Sequence, residues 1–305
     1  MKVAVIGGTG FVGLHITRHL IAAGHVPRLL ARPGSDGKIE RPEACEIVHG
    51  DVANPVALRE CLAGADAVIY LIGILREFPA RGITFEALQY QGVVDTIAAA
   101  QAVGVGRFLL MSANGIRADG TPYQRTKYQA EMALKASGLR WTIFRPSVIF
   151  GDPQGRMEFC SQLKKDIIDS PMPAPLFYEG LLPLKAGLFE LAPVCVSDVA
   201  DAFVLALGES RTESQTYSLC GPERFTWKAI LGLIAAASGK TKLMLPAPAM
   251  AIKATAGLLD RFAWFPITRD QVQMLMEGNV CSENDSFARL GLTPTHFGVD
   301  QLGYL

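Results

Sequence analysis

The chain has 305 residues, half of them hydrophobic, and 29 Lys and Arg balance 29 Asp and Glu. That is enough apolar material for one large domain or a core with an appended lobe. The neutral balance, with no basic run interleaved with aromatics, excludes a nucleic-acid-binding reading.

The first predicted element is an apolar β-branched strand, Val3-Ala4-Val5-Ile6, which runs into Gly7-Gly8-Thr9-Gly10-Phe11-Val12-Gly13. An amphipathic helix follows at once, read over residues 15–23. Strand, tight turn and helix are the order in which a G-x-x-G-x-x-G spacing binds a dinucleotide. Gly7 allows the sharp turn, Gly10 allows close approach of backbone to a pyrophosphate, and Gly13 allows close packing of helix on sheet. The pyrophosphate would rest on the free N–H groups of the helix N-terminus. Gly7, Thr9, Gly10, Phe11, Val12 and Gly13 are therefore the first cofactor candidates.

Strands are next predicted over 26–32 and 46–49, a helix over 55–62, and a buried strand over 67–73. A helix over 85–103, a strand over 107–112, a helix over 123–137 and a strand over 141–149 follow. Alternating strands and helices on short loops predict an α/β fold, a doubly wound parallel Rossmann sheet. After Gly151 the pattern changes, with five prolines between residues 169 and 193. Strand and helix return over 194–207, with Ser197 as a helix N-cap, and a last strand is read over 216–220. The expected division is a dinucleotide-binding core over 1–150, completed by 194–220. Residues 151–193 and 221–305 are read as a smaller, mostly helical substrate or partner lobe. The apolar stretch 246–265 is read either as lobe core or as docking surface.

Arg32 ends the second strand, where an acid would bond a ribose diol and a base meets a 2′-phosphate. Its guanidinium can pair a phosphate bidentately, which favours NADP(H) over NAD(H); Arg28 is a second candidate. Asp51-Val52 follows the third strand, beside the expected adenine, or else Asp51 caps the next helix. Leu71 and Gly73 at the end of the buried strand, and Pro146 in the sixth, complete the cofactor set. Tyr123 and Lys127 stand at i, i+4 on one helix face. A lysine beside a phenol lowers the phenol pKa towards acid–base use, and the same lysine can bond the nicotinamide ribose. Ser112, ending the strand before that helix, would orient a substrate oxygen. Six scattered cysteines include no C-x-x-C and no metal-ligand spacing, so they are expected to be buried thiols in a reducing compartment, and no metal site is expected. Met1-Lys2 leads straight into the first strand, so no signal peptide is read. No apolar run is long enough to span a bilayer.

These motifs resemble the extended and atypical short-chain dehydrogenase/reductases: the 7–13 turn, Gly50-Asp51-Val52, Ser112, Tyr123-x-x-x-Lys127 and Arg145-Pro146-Ser147-Val148-Ile149-Phe150-Gly151. More narrowly, residues 104–115, residues 194–200 and the tail from Phe265 to Val272 with Leu290-Gly291-Leu292 are similar to the family of the NADPH-binding accessory subunit of respiratory complex I and its bacterial relatives. That resemblance implies an NADP(H)-binding accessory or assembly protein with a membrane-associated respiratory complex as partner; with no signal peptide or spanning run read, the expected place is cytoplasmic or peripheral to the inner face of a membrane. An active NADPH-dependent oxidoreductase, epimerase or dehydratase on a small molecule is the second reading, and an NADP(H) redox sensor the third. Gln89-Tyr90-Gln91-Gly92 lacks the Asn of sugar-nucleotide members, the loop from Ser112 to Tyr123 is short, and residues 151–193 hold no evident nucleotide-sugar clamp. Those departures weigh against a sugar epimerase.

Overall fold

A computed structural model describes residues 1–250, 268–282 and 285–305. In chain order the first elements are β1 (Lys2–Ile6), α1 (Phe11–Ala22), β2 (Val26–Ala31), β3 (Glu46–His49), α2 (Pro55–Leu62) and β4 (Ala67–Tyr70). Then come α3 (Gly92–Val103), β5 (Arg107–Met111), α4 (Pro122–Lys135), β6 (Arg140–Pro146), β7 (Ile149–Phe150), α5 (Phe159–Leu163), β8 (Ala174–Tyr178), β9 (Glu190–Leu191) and β10 (Val194–Cys195). The last labelled elements are α6 (Val196–Gly208), β11 (Gln215–Leu219), β12 (Phe225–Thr226), α7 (Trp227–Ala237) and β13 (Met244–Pro248).

The described residues form two compact units. The first comprises Met1–Pro146, Val196–Leu219 and Asp285–Thr293. Its seven-stranded sheet has the order β11-β6-β5-β4-β1-β2-β3 and is parallel throughout. Residues Ala67 to Tyr70 of β4 are all buried, as a strand covered on both faces requires. Helix α1 packs on α6, while α2, α3 and α4 pack in series as a second group. The chain leaves β1 for β2 and β3, then returns to β4 on the other side of β1. The carboxyl ends of β1 and β4 thus form the switch point at which such sheets bind ligands.

Local chemistry sets the boundaries. Asn54 caps α2 by accepting from the Val56 and Ala57 amides, and Thr121 with Gln124 forms a capping box on α4. Three sequence expectations shift. The helix expected over 85–103 is a π-helical stretch, Glu86–Gln91, running into α3. The strand expected over 141–149 ends at Pro146, and β7 pairs instead with β10. Ser197 is not an N-cap: α6 begins at Val196, and the Ser197 hydroxyl lies 3.1 Å from His19 Nε2 on α1.

The second unit comprises Ser147–Cys195, Cys220–Asn284 and Pro294–Leu305. Its core gathers Phe150, Phe177, Trp227, Ile230 and Phe297 around α7. It holds three two-stranded ribbons, β7–β10, β9–β12 and β8–β13, besides α5, α7 and the helix Arg269–Met276. The expectation of six thiols is corrected here, because Cys220 and Cys281 form a disulfide. Cys281 is brought in by Asn279, whose amide donates to Glu190 and whose carbonyl accepts from Ala192, and the Gly221 amide donates to Ala192 from the other side. No local spacing announces a pair 61 residues apart. Cys61 and Cys160 are buried thiols, with burial pushing Cys61 up to about 12, while Cys45 and Cys195 are half-buried. Of the apolar stretch 246–265, residues 251–265, including Leu258, Leu259, Phe262, Trp264 and Phe265, lie outside the described residues, as do Pro266 and Ile267 of the resemblance.

Candidate functional site

The turn between β1 and α1 is shaped by backbone alone. Gly7 has φ +95°, a conformation that L side chains rarely adopt, and a Cβ there would meet Ile72 N at 3.1 Å. The Gly10 amide closes the turn onto the Gly7 carbonyl at 3.1 Å. Gly13 sits one turn into α1, where a Cβ would run into the Gly7 carbonyl oxygen and lie 2.7 Å from Gly8 Cα. Gly10 differs from both. It is the N-cap of α1, extended at φ −78°, and a Cβ there would meet only the Gly7 carbonyl oxygen, at 3.3 Å. That is a helix N-terminus with backbone groups presented to open space, and it fits an anionic pyrophosphate. Val12 is buried, Phe11 is half-buried and packs edge-on to His15 at 5.5 Å, and Thr9 is half-buried.

Arg32 is exposed just beyond β2, in a turn closed by the Ser35 amide on the Arg32 carbonyl. Arg28 is committed elsewhere: it donates to Glu46 at 2.6 Å and to the Ala63 carbonyl at 2.6 Å, capping the end of α2. Asp51 is exposed and accepts from the Ala53 amide at 3.0 Å, while Asn54 takes the capping role weighed for Asp51. Val52 is buried in the main core. Leu71 continues the β4 ladder, its amide donating to Ile6. At Gly73 a Cβ would stand 3.4 Å from Lys127 Nζ, so this loop and α4 come close. The Pro146 carbonyl accepts from the Asn114 amide, and the Ser112 amide donates to Phe144.

Tyr123 and Lys127 lie on α4, as the spacing predicts, but their electrostatics differ from expectation. Lys127 is buried and donates to the Met111 carbonyl at 3.0 Å. Burial pulls its pKa down to about 8, with Glu131 opposing. Tyr123 packs edge-on to Phe85 at 5.8 Å, and burial pushes its phenol up to about 12. The expected lowering is absent: desolvation by burial governs the phenol. The Ser112 hydroxyl is buried and has no hydrogen-bond partner among the described residues. A buried hydroxyl left so is a poised donor or acceptor for a ligand oxygen.

Two contributors carry little sequence signal. Gln89, buried in the π-helical stretch, donates to the Ile74 carbonyl at 2.7 Å and accepts from Thr126 at 3.4 Å. It ties the loop after β4 to α4, one residue from Lys127. Glu131, fully buried, takes Arg145 in a two-pronged pair at 2.8 and 2.6 Å. The i, i+4 spacing from Lys127 to Glu131 was the available clue. Among the described residues no group of His, Cys, Asp and Glu could hold a metal ion.

A family model described as NAD(P)H-binding matches residues 7–168. The chain is 24% identical to the NADH-ubiquinone oxidoreductase 40 kDa subunit of Neurospora crassa, over 99% of this chain and 78% of that protein. It is 27% identical to the ceramide reductase of Caulobacter vibrioides, over 87% and 79%. It is 24% identical to the photosystem II assembly factor Ycf39 of Trieres chinensis, over 93% and 83%. Among solved structures, the UDP-glucose 4-epimerase of Thermus thermophilus, in complex with NAD, superposes with a TM-score of 0.73 at 20% identity, over 100% of this chain and 97% of that one. The Rossmann architecture is therefore shared. No helix among the described residues is long and apolar enough to cross a membrane.

Proposed function

Because this chain belongs to the NAD(P)H-binding family, we propose that it holds NADP(H) as an accessory or assembly component of a membrane-associated respiratory complex. In this reading the bound dinucleotide stabilises the fold and is not consumed. A nicotinamide supplies hydride chemistry when bound, and this chain's own residues favour holding over reacting. The observation that carries the reading is the backbone geometry of the Gly7–Gly13 turn, where a Cβ at residue 7 or 13 would meet backbone and Gly10 caps the N-terminus of α1. The likeness to a respiratory-complex subunit and to an assembly factor supports it.

The residue roles follow the sequence reading. Gly7, Thr9, Gly10, Phe11, Val12 and Gly13 take the pyrophosphate, and Arg32 takes the 2′-phosphate. Asp51 and Val52 border the adenine. Leu71, Gly73 and Pro146 border the nicotinamide end, and Lys127 bonds the ribose. Residues 1–150 with 194–220 act as the cofactor-binding core, and the remainder faces the partner.

An active reductase is the second reading, favoured by the buried, unpartnered Ser112 hydroxyl near the Lys127–Met111 contact and by the ceramide reductase relative. There Tyr123 would act as acid or base and Ser112 would orient the substrate oxygen. One experiment separates the two: calorimetric titration with NADPH and NADH, paired with a carbonyl- and enone-substrate screen followed at the nicotinamide absorbance. Tight NADPH binding with no turnover is the expected result. Turnover that disappears in Tyr123→Phe would establish the enzyme instead.

A further inference from the structure

We propose that the loop Gly180–Leu188 of the second unit is a wedge that inserts into the headgroup–acyl boundary of an anionic phospholipid bilayer. Four leucines within eight residues stand out into solvent: Leu181 at 98% exposure, Leu182 at 66%, Leu184 at 81% and Leu188 at 50%. In the first unit the exposed large apolar side chains are scattered singly, at Met1, Val26, Val56, Leu75 and Met132, which is ordinary for a protein surface. A leucine that is almost fully exposed gains little burial from the described residues, and four of them on one loop form an exposed apolar patch of the kind that marks a contact surface.

The loop is presented on a firm base. The Gly187 amide donates to Phe177 at 2.9 Å, and the Lys228 amide donates to Gly187 at 3.1 Å. The Trp227 amide donates to Phe189 at 3.0 Å and its indole N–H to Pro175 at 2.9 Å, fixing both flanks to a buried tryptophan. A short turn, Pro183–Lys185, crosses the middle and lies against β8 and β13. Its own bonds, Ala186 N–H to Pro183 and Leu188 N–H to Lys185, satisfy part of the backbone, and Pro183 has no donor to satisfy. Irregular backbone does not cross hydrocarbon, so insertion stops where water and headgroups still reach the chain.

Charge and residue type select lipid over protein. Lys185 in the loop and Lys228 at its base have no carboxylate partner among the described residues, so two ammonium groups are available to phosphates. Glu179 and Glu190 flank the loop, but no acid lies within it. Lysines can keep their heads at the phosphates while their stems lie along the apolar layer. Protein hot spots favour Trp, Tyr and Arg and are poor in Leu; this loop is leucine with lysine and has none of the three. Apolar burial joined to a basic contribution is the pairing that gives stable attachment to a membrane surface.

The test is flotation of the full chain with vesicles of phosphatidylcholine and phosphatidylglycerol, against pure phosphatidylcholine vesicles. Wild type should float with the mixed vesicles and less with the neutral ones, and salt should weaken it. Leu181→Asn with Leu184→Asn should lower the partition by about a hundredfold, roughly tenfold per leucine. Lys185→Glu should lower it by about fivefold or more. Melting temperature and NADPH affinity, measured on the same samples, should stay at wild-type values. Absence of flotation by wild type overturns the proposal, as does flotation of the leucine variant at the wild-type level. So does a leucine variant that loses only self-association, which would make the occupant a second copy. Loss of NADPH binding in every sample would count against the cofactor reading and leave the loop untouched.

Discussion

The turn between β1 and α1 and the inner face of α4 lie in one unit and serve one candidate site, yet they are built by different physics. The turn is fixed by what cannot be there: at Gly7 and Gly13 any side chain meets backbone, which cannot yield. The α4 face is fixed by what burial does to charge, which lowers Lys127 to about 8 and raises Tyr123 to about 12. The comparison teaches that backbone sterics fix the turn without any side chain, whereas burial sets the charge balance of the α4 face.

The largest effect should come from breaking the turn. Gly13→Val should cost about 3 kcal/mol in denaturant unfolding, because the added atoms press on the backbone of residues 7 and 8 and not on a side chain that can move. The same variant should bind no NADPH.

Lys127 sharpens the other half of the comparison. The unfolded chain keeps this proton up to about 10.5, and the folded chain releases it near 8. Between those values the unfolded state binds more protons, so stability rises with pH, and below 8 the full penalty is present. Lys127→Met should erase that rise in a pH series of unfolding curves. It should stabilise the protein near neutrality by up to about 3 kcal/mol, less what the Met111 carbonyl forfeits. In the proposed reading Lys127 bonds the cofactor ribose, so NADPH affinity should fall in the same variant.

Arg32→Ala comes next. Arg32 is exposed at the end of β2, and its removal should erase most of the preference for NADPH over NADH by calorimetry, by about 1.5–3 kcal/mol. Equal wild-type affinities for the two would remove the role altogether. The smallest effect should be that of Tyr123→Phe. Its hydroxyl makes no hydrogen bond among the described residues, so stability and NADPH affinity should stay within about 0.5 kcal/mol of wild type.

The glycine turn and the strands of the parallel sheet were legible in the sequence because they rest on local rules. A β-branched run ends at a glycine, and apolar runs of strand length recur between helices. The break after Pro146 is marked in the sequence by Arg145-Pro146-Ser147, but where the following apolar residues go was not legible, since β7 takes a tertiary partner, β10. Ser197 has an N-cap's chemistry, but a tertiary partner, His19, claims its hydroxyl. The Cys220–Cys281 pairing depends on how the β9 edge gathers distant segments. For the site, the i, i+4 placement of Tyr123 and Lys127 followed from helix geometry. The direction of their pKa shifts did not, because the burial that drives both comes from elements distant in sequence.

The central claim is that the α1 N-terminus holds the pyrophosphate, and Gly10 tests it most directly, because a Cβ there has a negative φ to sit on and meets a single atom, the Gly7 carbonyl oxygen at 3.3 Å, which must give by only a few tenths of an ångström. The measurement is the thermal shift of Gly10→Ala on titration with NADPH, beside wild type. Ligand-free, the variant should unfold within about 1 kcal/mol of wild type, the ordinary cost of alanine at an N-cap. Wild type should gain stability steadily with NADPH concentration, as binding to the folded state alone requires, and the variant should gain none. A Gly10→Ala protein that shows the full wild-type shift would contradict the account.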